Sequence, residues 1–164
     1  MKKLLLAVAV IMITAVSVNA QTTFSIAGNA GSGTSSGYKL AAGGDLQVEF
    51  PATSGLKITA SAGYENFAYE FNFGAPVGTV KGHSSFIPIL AGAKFNFSSN
   101  LYGHAQLGYA VSTVSGGGGA FSYAPSIGYM FSKSFDVSAK YLAISKNGAT
   151  VAAILARLAY TFGQ

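Results

Sequence analysis

The sequence predicts an all-β fold, an eight-stranded antiparallel up-and-down transmembrane β-barrel, and three observations carry that reading. Only 9% of the 164 residues are charged while 50% are hydrophobic, whereas an ordinary soluble domain carries roughly 25% charged residues. The chain therefore lacks the polar material to coat a water-facing surface. Apolar and polar residues alternate with period two along segment after segment, the mark of strands with two different faces. Turn residues recur between those segments, supplied largely by 21 glycines. Past the N-terminus no stretch reaches the ~18 uninterrupted apolar residues of a spanning helix, so the crossing elements are strands.

Residues 1–20 read as a cleaved secretory signal peptide ahead of a single barrel domain at 21–164. Lys2 and Lys3 precede an apolar run from Leu4 to Val18, and Val18-Asn19-Ala20 puts small residues where a signal peptidase reads. Cleavage removes two of the ten basic residues and leaves eight against five acidic ones, a formal +3. Such a mild and scattered charge gives no sign of nucleic-acid binding. The absence of cysteine excludes a disulfide framework, thiolate catalysis and cysteine-based zinc sites.

The elements follow in order. The first begins near Phe24. The second places Tyr38, Leu40, Ala42, Gly44, Leu46, Val48 and Phe50 on an apolar face, against Lys39, Ala41, Gly43, Asp45, Gln47 and Glu49. In the third, Leu56, Ile58, Ala60, Ala62 and Tyr64 oppose Lys57, Thr59, Ser61, Gly63 and Glu65. After Glu65 the aromatics move to Phe67, Tyr69, Phe71 and Phe73, a phase slip that reads as a bulge or an extension above the membrane, with Tyr64, Phe67 and Tyr69 near the outer interface as an upper girdle or an adhesive patch. The fourth begins near His83. In the fifth, Leu101, Ala105, Leu107, Tyr109 and Val111 oppose His104, Gln106, Gly108, Ala110 and Ser112. The last three begin near Phe121, Phe135 and Thr150. Looser links around Gly31–Gly37, Asn72–Thr79, Ser115–Gly119 and Lys146–Gly148 alternate with tight ones at Pro51–Gly55, Ser98–Asn100 and Ser132–Ser134. Asn147-Gly148 suits a turn that needs positive φ.

Alternation alone also fits a soluble eight-stranded ligand carrier. The membrane is favoured because the charged face offers mostly Gly, Ala and Ser, and because strands of about ten residues match the hydrocarbon thickness. It is favoured also because the strands running to the tight turns end in Phe50, Phe97, Phe131 and Phe162. With Phe95, Tyr129, Phe135 and Tyr160 these form the aromatic girdle of a bilayer interface.

On these residues the chain resembles the small outer-membrane β-barrel proteins of Gram-negative bacteria, the porin-like superfamily. The ending Ile154-x-Ala156-x-Leu158-x-Tyr160-x-Phe162 is similar to the final-strand signal read by the outer-membrane assembly machinery, although Gly163 and Gln164 follow it. The resemblance implies residence in the outer membrane after secretion, with outer-membrane lipids and the assembly machinery as partners. It does not fix a function, because the family hosts many.

An eight-stranded barrel is only wide enough to be filled by its own side chains. The inward phase separates two zones. Asp45, Glu49, Lys57, Glu65, Lys94, His104, Gln106, Asp136, Lys140 and Arg157 occupy the lower and middle lumen. Four acids there face four bases, and unpaired they would each cost several kcal/mol, so an interior ion-pair network is expected. In the upper lumen Phe86, Pro88 and Leu90, then Leu142 and Ile144, then Val151, Ala153 and Leu155 face inward, suggesting an apolar pocket. Inward glycines at 43, 63, 92, 108 and 128 are read as leaving it room. Neither histidine has a carboxylate at a metal or triad spacing, and no Gly-x-Ser-x-Gly elbow is present. The expectation is a monomeric, non-enzymatic barrel without cofactor or metal, in a structural or surface-interaction role. The alternative is binding or passage of a small hydrophobic ligand through the apolar upper lumen.

Overall fold

The computed structural model describes residues 22–114 and 116–162. The expected signal peptide at 1–20, Gln21, Ser115 and the terminal Gly163-Gln164 lie outside the described residues. Eight strands run in chain order: β1 (Thr23–Gly33), β2 (Tyr38–Pro51), β3 (Leu56–Asn72), β4 (Thr79–Asn96), β5 (Leu101–Ser112), β6 (Gly119–Met130), β7 (Phe135–Lys146) and β8 (Ala149–Phe162). Each pairs antiparallel with its sequence neighbour, and β1 closes the ring on β8 from Phe24↔Phe162 to Gly33↔Ala153. Closure leaves no edge strand with unpaired backbone, the one way a sheet can stand in hydrocarbon.

Short turn chemistry sets the lower end. Phe97 N–H bonds to Leu101 O and Phe131 N–H to Phe135 O, and in each loop the serine after the Phe receives two further backbone N–H groups. Ser98 and Ser132 thus do the same job in two turns, satisfying donors that the ladder leaves free. At the other end Asn147 and Gly148 both have positive φ, 51° and 82°, the backbone of a two-residue hairpin turn matched to strand twist.

The two faces of the wall differ as the alternation requires. Ile26, Leu46, Ile58, Leu107, Ile127, Ile154 and Leu158 are exposed on the outside. Near the tight turns the girdle rings meet one another: Phe95–Phe97, Tyr129–Phe131, Phe135–Tyr160 and Tyr160–Phe162 have centroids 4.7 to 5.6 Å apart. Two prolines interrupt the ladders. Pairing of β3 with β4 stops at Ala62↔Ile89 and resumes at Glu65↔Phe86, around Pro88, while β6–β7 skips from Tyr123↔Ala143 to Ser126↔Lys140, around Pro125. Proline has no N–H to give.

Four expectations are corrected. β4 begins at Thr79, not near His83, so β3 and β4 reach 17 and 18 residues while the other strands have 11 to 14. The β3 register stays constant through Glu65, so no phase slip occurs and Phe67 is fully buried inside the barrel rather than in an outer girdle. Tyr38 also turns inward, because a register shift between Tyr38 and Leu40 flips its face; its ring meets Phe67, Tyr69 and Phe71 edge-on. The inward glycines are not empty room. A Cβ on Gly128 would strike the Tyr102 ring, and one on Gly43 the Glu65 carboxylate, so neighbours already use the space.

Phe67 therefore sits at the centre of a buried cluster with Leu90, Leu142 and Leu155. Truncating a buried Phe costs about 3–5 kcal/mol. Phe67→Ala should lower the urea midpoint of unfolding in lipid vesicles correspondingly, while Phe97→Ala, on the exposed girdle, should lower it far less.

Candidate functional site

The lumen is the candidate site, because alternate residues of all eight strands converge there. Its lower and middle part is organised around two carboxylates of β2. Asp45 accepts from Arg157 of β8 (Nη2 at 2.8 Å, Nε at 3.1 Å) and from Lys140 Nζ of β7 at 3.4 Å. Glu49 accepts from Lys94 of β4 and Lys57 of β3, both at 2.9 Å. Glu49–Lys57 links the adjacent β2 and β3, whereas Glu49–Lys94, Asp45–Lys140 and Asp45–Arg157 bind strands that are not neighbours in the ring, so those side chains tie the barrel across its width. Asp136 receives the Tyr102 hydroxyl and lies 3.8 Å from Arg157 Nη1. Lys94 Nζ stands 4.1 Å from the Tyr102 ring centroid, a desolvated cation–π contact.

His104 shares a 2.8 Å hydrogen bond with Thr59, and Gln106 donates to Ser61 at the same distance. His83 stands apart, exposed on β4. Glu65 departs from the simple balance of four acids and four bases: it has no ion pair among the described residues. Instead Asn29 Nδ2 bridges it to Asp45, at 2.6 Å from Glu65 Oε1 and 3.0 Å from Asp45 Oδ2. Glu65 Oε2 and Asn29 Oδ1 are buried without a partner.

The structure brings Phe86, Leu90, Leu142, Ile144, Val151 and Leu155 together above this layer, in one cluster with Phe67 and Ala153. Leu90, Leu142, Ile144 and Leu155 are buried, and Phe86 and Val151 are partly so. Phe67 and Phe86 meet edge-on at 5.9 Å, and the small Ala110, Ala120 and Ala124 face the aromatics from β5 and β6. Sequence reasoning missed Asn29, Tyr102, Tyr38 and Phe67. The first two lie on the inward parity of Ser25-x-Ala27-x-Asn29 and Tyr102-x-His104-x-Gln106, which was the signal available for them.

No family model matches the sequence, and no curated protein matches it. Among solved structures, the chain is similar to the attachment invasion locus protein Ail of Yersinia pestis, with 17% identity and a TM-score of 0.57 over 86% of this chain and 97% of that one. It is similar to the outer-membrane enzyme PagL, with 13% identity and a TM-score of 0.52 over 83% of this chain and 98% of that one. A de novo designed transmembrane β-barrel gives 12% identity and a TM-score of 0.52 over 85% and 94%.

Removing one partner of a buried ion pair costs about 3–5 kcal/mol, because it leaves the other charge stranded. Asp45→Asn strands Lys140 and leaves Arg157 only the 3.8 Å contact with Asp136, and should destabilise the barrel on that scale in urea titration. Lys81→Ala breaks the exposed Glu70–Lys81 pair and should shift stability by less than about 1 kcal/mol. The eight-stranded ring, its apolar outer belt and its aromatic girdle are together those of a small transmembrane β-barrel.

Proposed function

We propose that the protein is a sealed, non-enzymatic barrel with a structural and surface-interaction role, presenting the β3–β4 hairpin outward. The observation that carries this reading is the stacking of two buried layers across one narrow lumen. Asp45, Glu49, Lys94, Lys140 and Arg157 each expose 7% or less, and Phe67, Leu142 and Leu155 expose nothing. An aqueous path through both layers would require breaking ion pairs and displacing a packed ring. In this hairpin β3, with 17 residues, outruns the 14 of β2, and β4, with 18, outruns the 12 of β5, a reach of roughly 10 to 20 Å at ~3.3 Å per residue. Its tip from Phe71 to Val80 carries no charge and exposes Phe73 and Val77 by 64% and 66%, which suits it for contact. A non-enzymatic role is supported by the upper rim. His83 is exposed on the wall, and the Ser85 hydroxyl accepts from Tyr64 and Asn66.

A second reading, capture of a small hydrophobic molecule in the upper lumen, draws on the apolar cluster itself. Two measurements separate the readings. Purified protein in planar bilayers should show no unitary conductance; a steady channel would contradict the sealed lumen. A hydrophobic fluorescent probe should not bind the wild-type chain but should enter Phe67→Ala, whose truncation opens a cavity. Wild-type binding abolished by Leu90→Asp and Leu155→Asp would favour the second reading instead.

A further inference from the structure

One side of the outer wall carries three chemistries in sequence from the membrane upward. Lowest is an apolar groove of about 490 Å³ lined by Ile26, Leu46, Ala62, Tyr64 and Ile87. Gly44 on β2 belongs to its floor and brings no side chain; its cross-strand partner Gly28 on β1 lies beside the groove, where a Cβ would meet nothing within 4 Å. Directly above, the Tyr64 hydroxyl and the Asn66 amide both donate to Ser85 Oγ, at 2.9 and 2.7 Å, making a small polar patch on the same wall. Highest is a recess of about 290 Å³ shared by Lys39, Ala68, Glu70, Lys81 and His83.

The register explains that recess. Leu40, Ala68 and His83 form one row across β2, β3 and β4. The row's middle member is only a methyl group, which leaves a recess bordered by Lys39 on one side and by Lys81 and His83 on the other. Glu70 engages Lys81 at 3.5 Å, yet the Lys81 side chain remains 70% exposed. Two ammonium groups and an imidazole against one carboxylate leave a net positive site. From Tyr64 to Ala68 the strand runs roughly 13 Å at ~3.3 Å per residue, about 10 Å along the membrane normal at a ~40° tilt, close enough for one lipid to reach from groove to recess.

We propose that this face holds one phosphorylated lipid of the outer leaflet. An acyl chain lies in the groove floored by Gly44, the polar backbone of the headgroup meets Tyr64, Asn66 and Ser85, and the phosphate sits between Lys39, Lys81 and His83. A lipid phosphate is favoured over a free one because the cationic recess stands in line with a groove made for hydrocarbon. Lysines near a membrane surface attract anionic headgroups at this depth, and the site does not depend on whether the lumen is sealed.

The test is native mass spectrometry of the purified protein in mild detergent, titrated with diphosphorylated lipid A, with the same lipid after dephosphorylation, and with inorganic phosphate. The wild-type chain should retain phosphorylated lipid A. The double variant Lys39→Ser/Lys81→Ser should retain it about tenfold less well, and Gly28→Leu, which sets a bulky side chain beside Gly44 at the margin of the groove, should weaken it as well. Unheated gel mobility checks that both variants remain folded barrels. Equal retention by the folded double variant, or by dephosphorylated lipid A, would overturn the phosphate site. Binding of inorganic phosphate with lipid retention indifferent to Gly28→Leu would overturn the lipid assignment.

Discussion

The rest of the structure depends on one constraint, that every backbone N–H and C=O crossing hydrocarbon must find its partner inside the protein. For strands the only complete solution is closure, met here by the ten-pair ladder between β1 and β8. Closing eight strands fixes the width of the lumen to about what side chains fill. The inward half of the sequence must then supply a core made partly of polar and charged groups, while the outward half supplies a surface for lipid. The two prolines show how little slack exists: the ladders break beside Pro88 and Pro125 and resume within three residues.

The interior divides the work between charge and packing. Where Asp45 and Glu49 lie, buried carboxylates are matched by Arg157, Lys140 and Lys94 across the barrel and by Lys57 on the adjacent strand. Buried pairs contribute little net stability against well-packed apolar groups, but each is costly to break, so they favour one register of eight strands over its neighbours. A slip of one residue in β2 would move Asp45 and Glu49 into lipid. Higher in the barrel the aromatics of β2, β3 and β4 take over, with Tyr38, Phe67 and Phe86 meeting edge-on. The unpartnered Glu65 Oε2 lies near the boundary between the layers, where ion pairs give way to packing.

The strand count, the turn sites and the parity of most residues were legible in the sequence, because charge and hydrocarbon on opposite faces leave a strong period-two signal. Asp45, Glu49 and Arg157 could be placed inward on that signal alone. The upper lumen was not legible in the same way. There both faces are apolar, Tyr64 outward and Phe67 inward, so the continuing phase of β3 read as a slip. The flip of Tyr38 depends on a local register shift beside Leu40, which no composition signal marks. Glycine identity also misled: Gly43 and Gly128 suggested vacant room, whereas the Glu65 carboxylate and the Tyr102 ring occupy it. Which side chain fills a glycine's space is a property of the neighbouring strands, not of the glycine.

Because the chain has no native cysteine, single nitroxide labels can be placed at will, and their collision rates report the surroundings of each strand face. In lipid vesicles, labels at Leu46, Leu107 and Leu158 should collide readily with dissolved oxygen and hardly at all with a water-soluble nickel reagent. Labels at the inward Gln106 and Ser138 should be shielded from both. Nickel collisions at the inward positions approaching those of free solution would reveal a water-filled lumen, and high nickel access at the outward positions would contradict the membrane-spanning barrel itself.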